Sequence, residues 1–223
     1  IEGARDSYPS KNFVKEINKL KIKNKVIVIV DEITSGWRET LGGIYKKVGL
    51  NPDIVVYGKA LGNGYPISAV VGKKSIMKIS NQTFISSTAW TERIGFVAAL
   101  ETIKFMRKNN VPKIIKARGK KIIDGWKLTA KKYNLKIKTN DIYSMPKFSF
   151  DYFNNSEKLH TLFTKLMLEK GYLSTNYMFV TYAHSIKEIN NYLLICDQVF
   201  KNISKILNKP KEISSIKSRR MIY

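Results

Sequence analysis

The sequence predicts an α/β protein: a parallel-sheet domain first, then a small α+β domain. Three observations predict it. Val26–Val30 (VIVIV) is an unbroken β-branched run ending at Asp31, and a run apolar on both faces reads as a buried parallel strand. Asp53–Tyr57 (DIVVY) repeats the pattern after the turn signal Asn51-Pro52 and ends at Gly58-Lys59. Beyond Pro112 the order becomes strand–strand–helix–strand–helix with short connections, an α+β arrangement.

The other elements follow in order. Residues 10–21 place Phe13, Val14, Ile17 and Leu20 on one helical face, with Ser10 as N-cap. Ala69–Val71 is a third short strand, closed by Gly72. Helical periodicity covers Thr91–Lys108 and Pro112–Tyr133, and Pro112, suited to a first helical turn, marks a domain boundary. Strands are expected over Leu135–Lys138, Lys147–Asp151 and Tyr177–Tyr182. Helices are expected over Glu157–Lys170, closed by Gly171, and over Ser185–Leu207. From Lys209 onward no periodicity is visible. The expected organisation is a first domain over residues 1–109, a second over 110–208 and a mobile tail over 209–223. Cys196 falls with Tyr192, Ile195 and Val199 in an apolar helical stripe and reads as core, Trp90 as packing, and His160 and His184 as surface or capping residues.

Composition narrows the function classes. Hydrophobic residues at 43% supply a real core, which excludes wholesale disorder. No apolar run approaches the ~20 residues that span a bilayer. One cysteine cannot form an internal disulfide, and two histidines with it make no zinc set; a reducing, cytoplasmic setting is expected, with no metal. The chain opens on Ile1 with no basic, apolar leader, which suggests a piece whose natural N-terminus is missing. Forty basic residues against 17 acidic give a net charge of +23, a balance that suits nucleic acid or an anionic membrane. Lysine outnumbers arginine 33 to 7, however, and is spread evenly rather than clustered. Readers of phosphate and bases lean on arginine forks. The expectation is a solvated basic surface, with no nucleic-acid and no membrane partner.

The chemistry concentrates between residues 31 and 66. Ligands of parallel α/β sheets bind beyond the carboxyl ends of the strands, where Asp31 and Lys59 both stand, and a glycine-containing loop (LGNGYP) follows. An acid and a lysine on one protected edge both lose water, so something must compensate them. Pyridoxal phosphate catalysis uses such a pair. The amine condenses with the cofactor aldehyde as a Schiff base, and the carboxylate keeps the ring nitrogen protonated so that the ring accepts electrons. The displaced amine then moves the substrate's α-proton. Taken singly, Asp31 reads as a cap and Lys59 as one more surface lysine; together with the loop they read as a site.

Asp31–Arg38 (DEITSGWR) resembles the DEVxTGFR segment of class III, fold-type I pyridoxal phosphate aminotransferases, especially the glutamate-1-semialdehyde aminomutase branch. Asn51–Ala69 (NPDIVVYGKALGNGYPISA) is similar to the block that carries the family's Schiff-base lysine, and the acid-to-lysine interval is similar too. The resemblance implies the C-terminal part of the large three-layer domain plus the small domain of such an enzyme. It implies that Lys59 carries pyridoxal 5'-phosphate, that Asp31 pairs with its ring nitrogen, and that Ile33 packs on one ring face. Ser87-Thr88 resembles the pair whose threonine holds the cofactor phosphate of the neighbouring subunit, which implies a homodimer with a shared site. The partners implied are a small-molecule amino donor and a carbonyl substrate.

Departures accompany the match. Glu92-Arg93 stands where the family has Asn-Pro, which puts the semialdehyde substrate in doubt. Transfer between two molecules is therefore the first reading and intramolecular transfer the alternative. Arg93 and Arg38 could bind an anionic substrate, with a structural ion pair as the default for each. Nothing matches the family's phosphate loop or its ring-stacking aromatic, so this chain alone would lack half of the cofactor cup and be inactive. A distant rival treats VIVIVDE as a Walker B strand of a nucleotide-binding module. No G-x-x-x-x-G-K-[ST] accompanies it.

Overall fold

The computed structural model describes residues 7–86, 88 and 92–216. The chain divides into two compact units, Ile1–Ile114 and Ile115–Tyr223.

In the first unit, helix α1 (Lys11–Asn24) precedes strand β1 (Ile29–Asp31), the short helix α2 (Tyr45–Val48), strands β2 (Ile54–Tyr57) and β3 (Ala69–Gly72), the short helix α3 (Lys74–Met77) and helix α4 (Arg93–Lys108). Ser10 caps α1 by accepting from the Phe13 N–H at 3.2 Å. Of the expected apolar face only Val14 is buried; Phe13 and Leu20 are exposed. Polar ties hold α1 instead. The Asn18 amide donates to the Gly49 carbonyl, and Lys21 reaches both the Asn51 carbonyl and Asp53.

The sheet order is β1-β2-β3. β1 and β2 are parallel, in register Ile29↔Ile54, Val30↔Val55 and Asp31↔Val56. β3 runs antiparallel to β2, because the chain between Tyr57 and Ala69 is too short for the crossover that parallel pairing requires. The expectation of burial on both faces of the first strand is corrected. Val30 is buried, while Ile29, on the other face of β1, and Ile27, just ahead of the strand, lie exposed among the described residues. Val55, Tyr57, Leu61 and Ala99 form the core, with Trp37, Tyr45, Ile67 and Ile103 packed against it. On α4, Ile94, Phe96, Val97 and Leu100 remain exposed.

Asp53 ties this unit together. Its buried carboxylate takes Lys21 Nζ at 2.7 Å, Lys73 Nζ at 2.9 Å and the Val28 N–H at 3.0 Å. Burial alone would raise its pKa; the hydrogen bonds from Lys21, Val28 and Lys73 outweigh that and hold it far below the usual carboxylate range.

Helix α5 (Val111–Lys132) runs into the second unit, followed by strands β4 (Ile137–Thr139) and β5 (Phe148–Phe150) and helices α6 (Ser156–Glu169), α7 (Ile186–Leu207) and α8 (Pro210–Ser215). β4 and β5 pair antiparallel. Phe148 is the hub of an aromatic core, its ring centroid 4.9 Å from Trp126, 5.1 Å from Phe163 and 5.6 Å from Phe200. A full capping box, Ser185 with Glu188, starts α7. The strand expected over Tyr177–Tyr182 does not form. That segment bonds to residues 144–148 only at intervals, and Pro146, with no N–H, cannot continue a ladder. Past Lys209, where no periodicity was expected, Pro210 opens α8 and Ile213 is buried.

His184 closes a turn, its Nδ1 accepting from the Thr181 N–H. His160 is more than that: its Nε2 accepts from the Phe150 N–H at 3.0 Å, beside the Phe148 and Phe150 rings. Burial, and then the Lys147 charge, push its pKa down from 6.5 to about 4. Protonating Nε2 would forfeit the Phe150 bond. The unfolded chain takes up this proton near pH 6.5 and the folded chain only near pH 4, so folding stability falls as pH drops across that window. Solvent at the partly exposed ring limits the loss to roughly 1–2 kcal/mol. Melting curves between pH 7 and pH 4.5 check this, and His160→Gln should flatten the slope.

Candidate active site

The parallel register sets the site. Asp31 closes β1 level with Val56, and the Glu32 N–H donates to the Val56 carbonyl at 2.9 Å, carrying the ladder one residue further. Three residues beyond Val56 stands Lys59, so the carboxylate and the amine leave neighbouring strands at the same end of the sheet. Asp31 Oδ1 accepts from the Ile33 N–H at 2.9 Å, a turn that reverses the chain after the strand. Ile33 is half-buried beside Gly58, where an added Cβ would come to 3.4 Å from Ile33 Cγ2.

Lys59 emerges from unusual backbone. Its φ of 42° is left-handed, a region that disfavours any side chain and collects at functional sites. It opens a 3₁₀ turn, Lys59–Leu61, locked by the Leu61 N–H on the Gly58 carbonyl. Gly62 closes the turn, and a Cβ there would sit 2.2 Å from the Tyr65 carbonyl oxygen. The loop glycine is thus required by close approach.

The lysine side chain is held as well. Lys59 Nζ donates to Thr34 Oγ1 at 2.8 Å. Thr34 is buried, and its own carbonyl accepts from Arg38 Nε at 2.7 Å. Burial lowers the Arg38 pKa, as desolvation must for a cation. Glu32 is fully buried: one carboxylate oxygen accepts from the Tyr45 N–H at 2.8 Å, the other from the Ser35 hydroxyl. Both ends of the 33–44 excursion are therefore anchored on one side chain. The same observation weakens the nucleotide-binding rival, in which paired acids face magnesium and water. Glu32 faces the core.

The structure therefore brings Asp31, Ile33 and Lys59 to one sheet end. Thr88 stands exposed in a turn, and Ser87 and Trp90 lie outside the described residues. Glu92 caps α4, its carboxylate accepting from the Ile94 N–H at 3.0 Å, so the departure from Asn-Pro has a structural use. Arg38 donates from Nε to the Thr34 carbonyl and so holds the Thr34 backbone. The sequence assigns neither Thr34 nor Glu32 a role in a cofactor site. Thr34 occupies the variable place of the DEVxTGFR pattern, and Glu32 looks like any charged residue beside a strand. Among the described residues no group of three His, Cys, Asp or Glu could hold a metal, and no helix is long and apolar enough to cross a membrane.

Comparison with known proteins supplies the context. The model of the aminotransferase class-III family matches residues 3–145. The glutamate-1-semialdehyde 2,1-aminomutase of Fusobacterium nucleatum is 29% identical over 213 residues, which is 87% of this chain and 49% of that protein. The 3-aminobutyryl-CoA aminotransferase of Cloacimonas acidaminovorans is 36% identical over 120 residues, 53% of this chain and 29% of that protein. Among solved structures, the FumI protein of Sphingopyxis sp. MTA144, in its PLP internal aldimine form, superposes with a TM-score of 0.84 at 22% identity, over 94% of this chain and 49% of that one. An omega-transaminase from Sphaerobacter thermophilus gives 0.79 at 15% identity, over 88% and 49%. The fold is that of the fold-type I transaminases. The chain spans about half the length of curated relatives that it matches over most of its own length.

Proposed function

Since the chain belongs to the aminotransferase class-III family, we propose that it forms part of a pyridoxal phosphate-dependent enzyme that moves an amino group from an amino donor to a carbonyl substrate. One observation carries the reading: an amine and a carboxylate leave neighbouring parallel strands at the same end, with the amine held on strained backbone. The residues suit the cofactor. Lys59 Nζ would hold it covalently and Asp31 would face its ring nitrogen, while Ile33 offers an apolar surface to a ring face. When bound, pyridoxal phosphate supplies the electron sink that makes a substrate α-proton removable.

The chain's own residues do the rest. The Asp31 carboxylate would keep a proton on the facing nitrogen, with the Ile33 N–H bond holding its orientation. The Lys59 amine would take the substrate's α-proton and return it at the accepting carbon. Ser87-Thr88 would contact the cofactor phosphate of a second copy, giving a homodimer with shared sites.

Transfer between two molecules is the first reading, and 3-aminobutyryl-CoA aminotransferase is among the relatives that favour it. Intramolecular transfer is the second, favoured by 29% identity to an aminomutase across 87% of this chain.

The test is chemical. Borohydride treatment of the complete, cofactor-loaded polypeptide should add the reduced pyridoxyl mass to the peptide containing Lys59. Label on another lysine, or a colourless protein whose ATP binding depends on Asp31, would overturn the assignment.

A further inference from the structure

We infer that Thr34 is a positioning residue, whose hydroxyl holds the Lys59 amine on station whenever that amine is not covalently engaged. The inference rests on the reading of Lys59 as the attachment point and goes beyond it. A lysine side chain has four rotatable bonds and sweeps a wide volume unless its end is held. Here both ends are held, the backbone by a left-handed turn at φ 42° and Nζ by Thr34 Oγ1 at 2.8 Å.

The post itself is rigid. Thr34 is β-branched and 7% exposed, so its χ1 is restricted and its surroundings are packed. Its carbonyl is fixed by Arg38 Nε, and the segment on either side is pinned by Glu32 through Ser35 and Tyr45. A hydroxyl so mounted returns the free amine to one place each time. The attacking nitrogen is then near its target before the cofactor aldehyde arrives, and pre-positioning of this kind accelerates a bond-forming step. Arg38 and Glu32 act through Thr34, not on the reacting atoms.

Substitutions separate this role from packing. Thr34→Val keeps volume and branching but deletes the acceptor; Thr34→Ser keeps the acceptor and deletes the methyl. In the cofactor-stripped complete protein, Thr34→Val should slow recapture of pyridoxal phosphate, followed by visible absorbance, by roughly tenfold. Thr34→Ser should stay within about threefold of the unsubstituted protein. A second readout needs no cofactor. Acylation of the stripped protein, quantified lysine by lysine by mass spectrometry, should show Lys59 labelled several-fold faster in Thr34→Val, with Lys120 unchanged as the surface reference.

Equal recapture in all three proteins overturns the inference, as does slowing of Thr34→Val and Thr34→Ser alike, which would indicate packing. If Thr34→Val fails to fold, Thr34→Ala against Thr34→Ser makes the same comparison. Failure of the unsubstituted protein to fix cofactor on Lys59 would sink the site assignment, while the acylation rates would still decide whether Thr34 holds the amine.

Discussion

Lys59→Ala in the complete polypeptide is expected to lower amino transfer by at least about ten-thousandfold, because on the proposed reading one side chain supplies both the covalent anchor and the mobile base. The protein should also lose its yellow colour and its borohydride-stable label. Asp31→Asn separates the two roles proposed for the site. An amide cannot keep the facing nitrogen protonated, so turnover should fall by roughly a hundred- to a thousandfold, the scale of losing one preorganised electrostatic contact. The label on Lys59 should persist, because the anchor is untouched. Single-turnover measurements with an amino donor check both. A Lys59→Ala protein that turns over within tenfold of the parent would remove the lysine from the mechanism.

Gly119→Ala is expected to be the most damaging small change in the second unit. Helix propensity alone favours alanine by about 1 kcal/mol. A Cβ at 119, however, would lie 1.6 Å from the Tyr143 carbonyl oxygen and 2.6 Å from its carbon, both backbone atoms. The facing loop cannot yield cheaply. Asn140 braces it through the Met145 carbonyl at 2.8 Å and the Lys147 N–H at 2.9 Å. Helix and loop must part, at a net cost of about 3 kcal/mol or more. For a unit of this size that lowers the melting temperature by roughly 10–20 °C. Calorimetry on the substituted protein decides it, and an unchanged or raised melting temperature would contradict the close approach.

Both sites differ in how visible they are in the sequence. Asp31 and Lys59 are legible because each ends an apolar run, and the strand-end rule converts that pattern into a place on the sheet. Hydrophobic runs carry no direction, so the antiparallel turn of β3 is invisible until the short connection is built. They do not say what covers a face either, and Ile27 and Ile29 read as buried although both lie exposed. Apolar composition likewise overstates Tyr177–Tyr182, where a proline in the facing segment decides the outcome. Thr34 is illegible for a different reason. Its contact reaches 25 positions along the chain and depends on the rotamers of two long side chains. Glu32 inverts the usual rule for carboxylates, being fully enclosed with its oxygens occupied.

The left-handed backbone at position 59 has a consequence for durability. A lysine carries a local penalty of about 1–2 kcal/mol there, which glycine would escape. The residue that would make this loop most comfortable is one that cannot do chemistry. With the role proposed for Lys59, reactivity and robustness compete for a single place in the chain, and a variant selected only for heat resistance would drift there toward an inert protein.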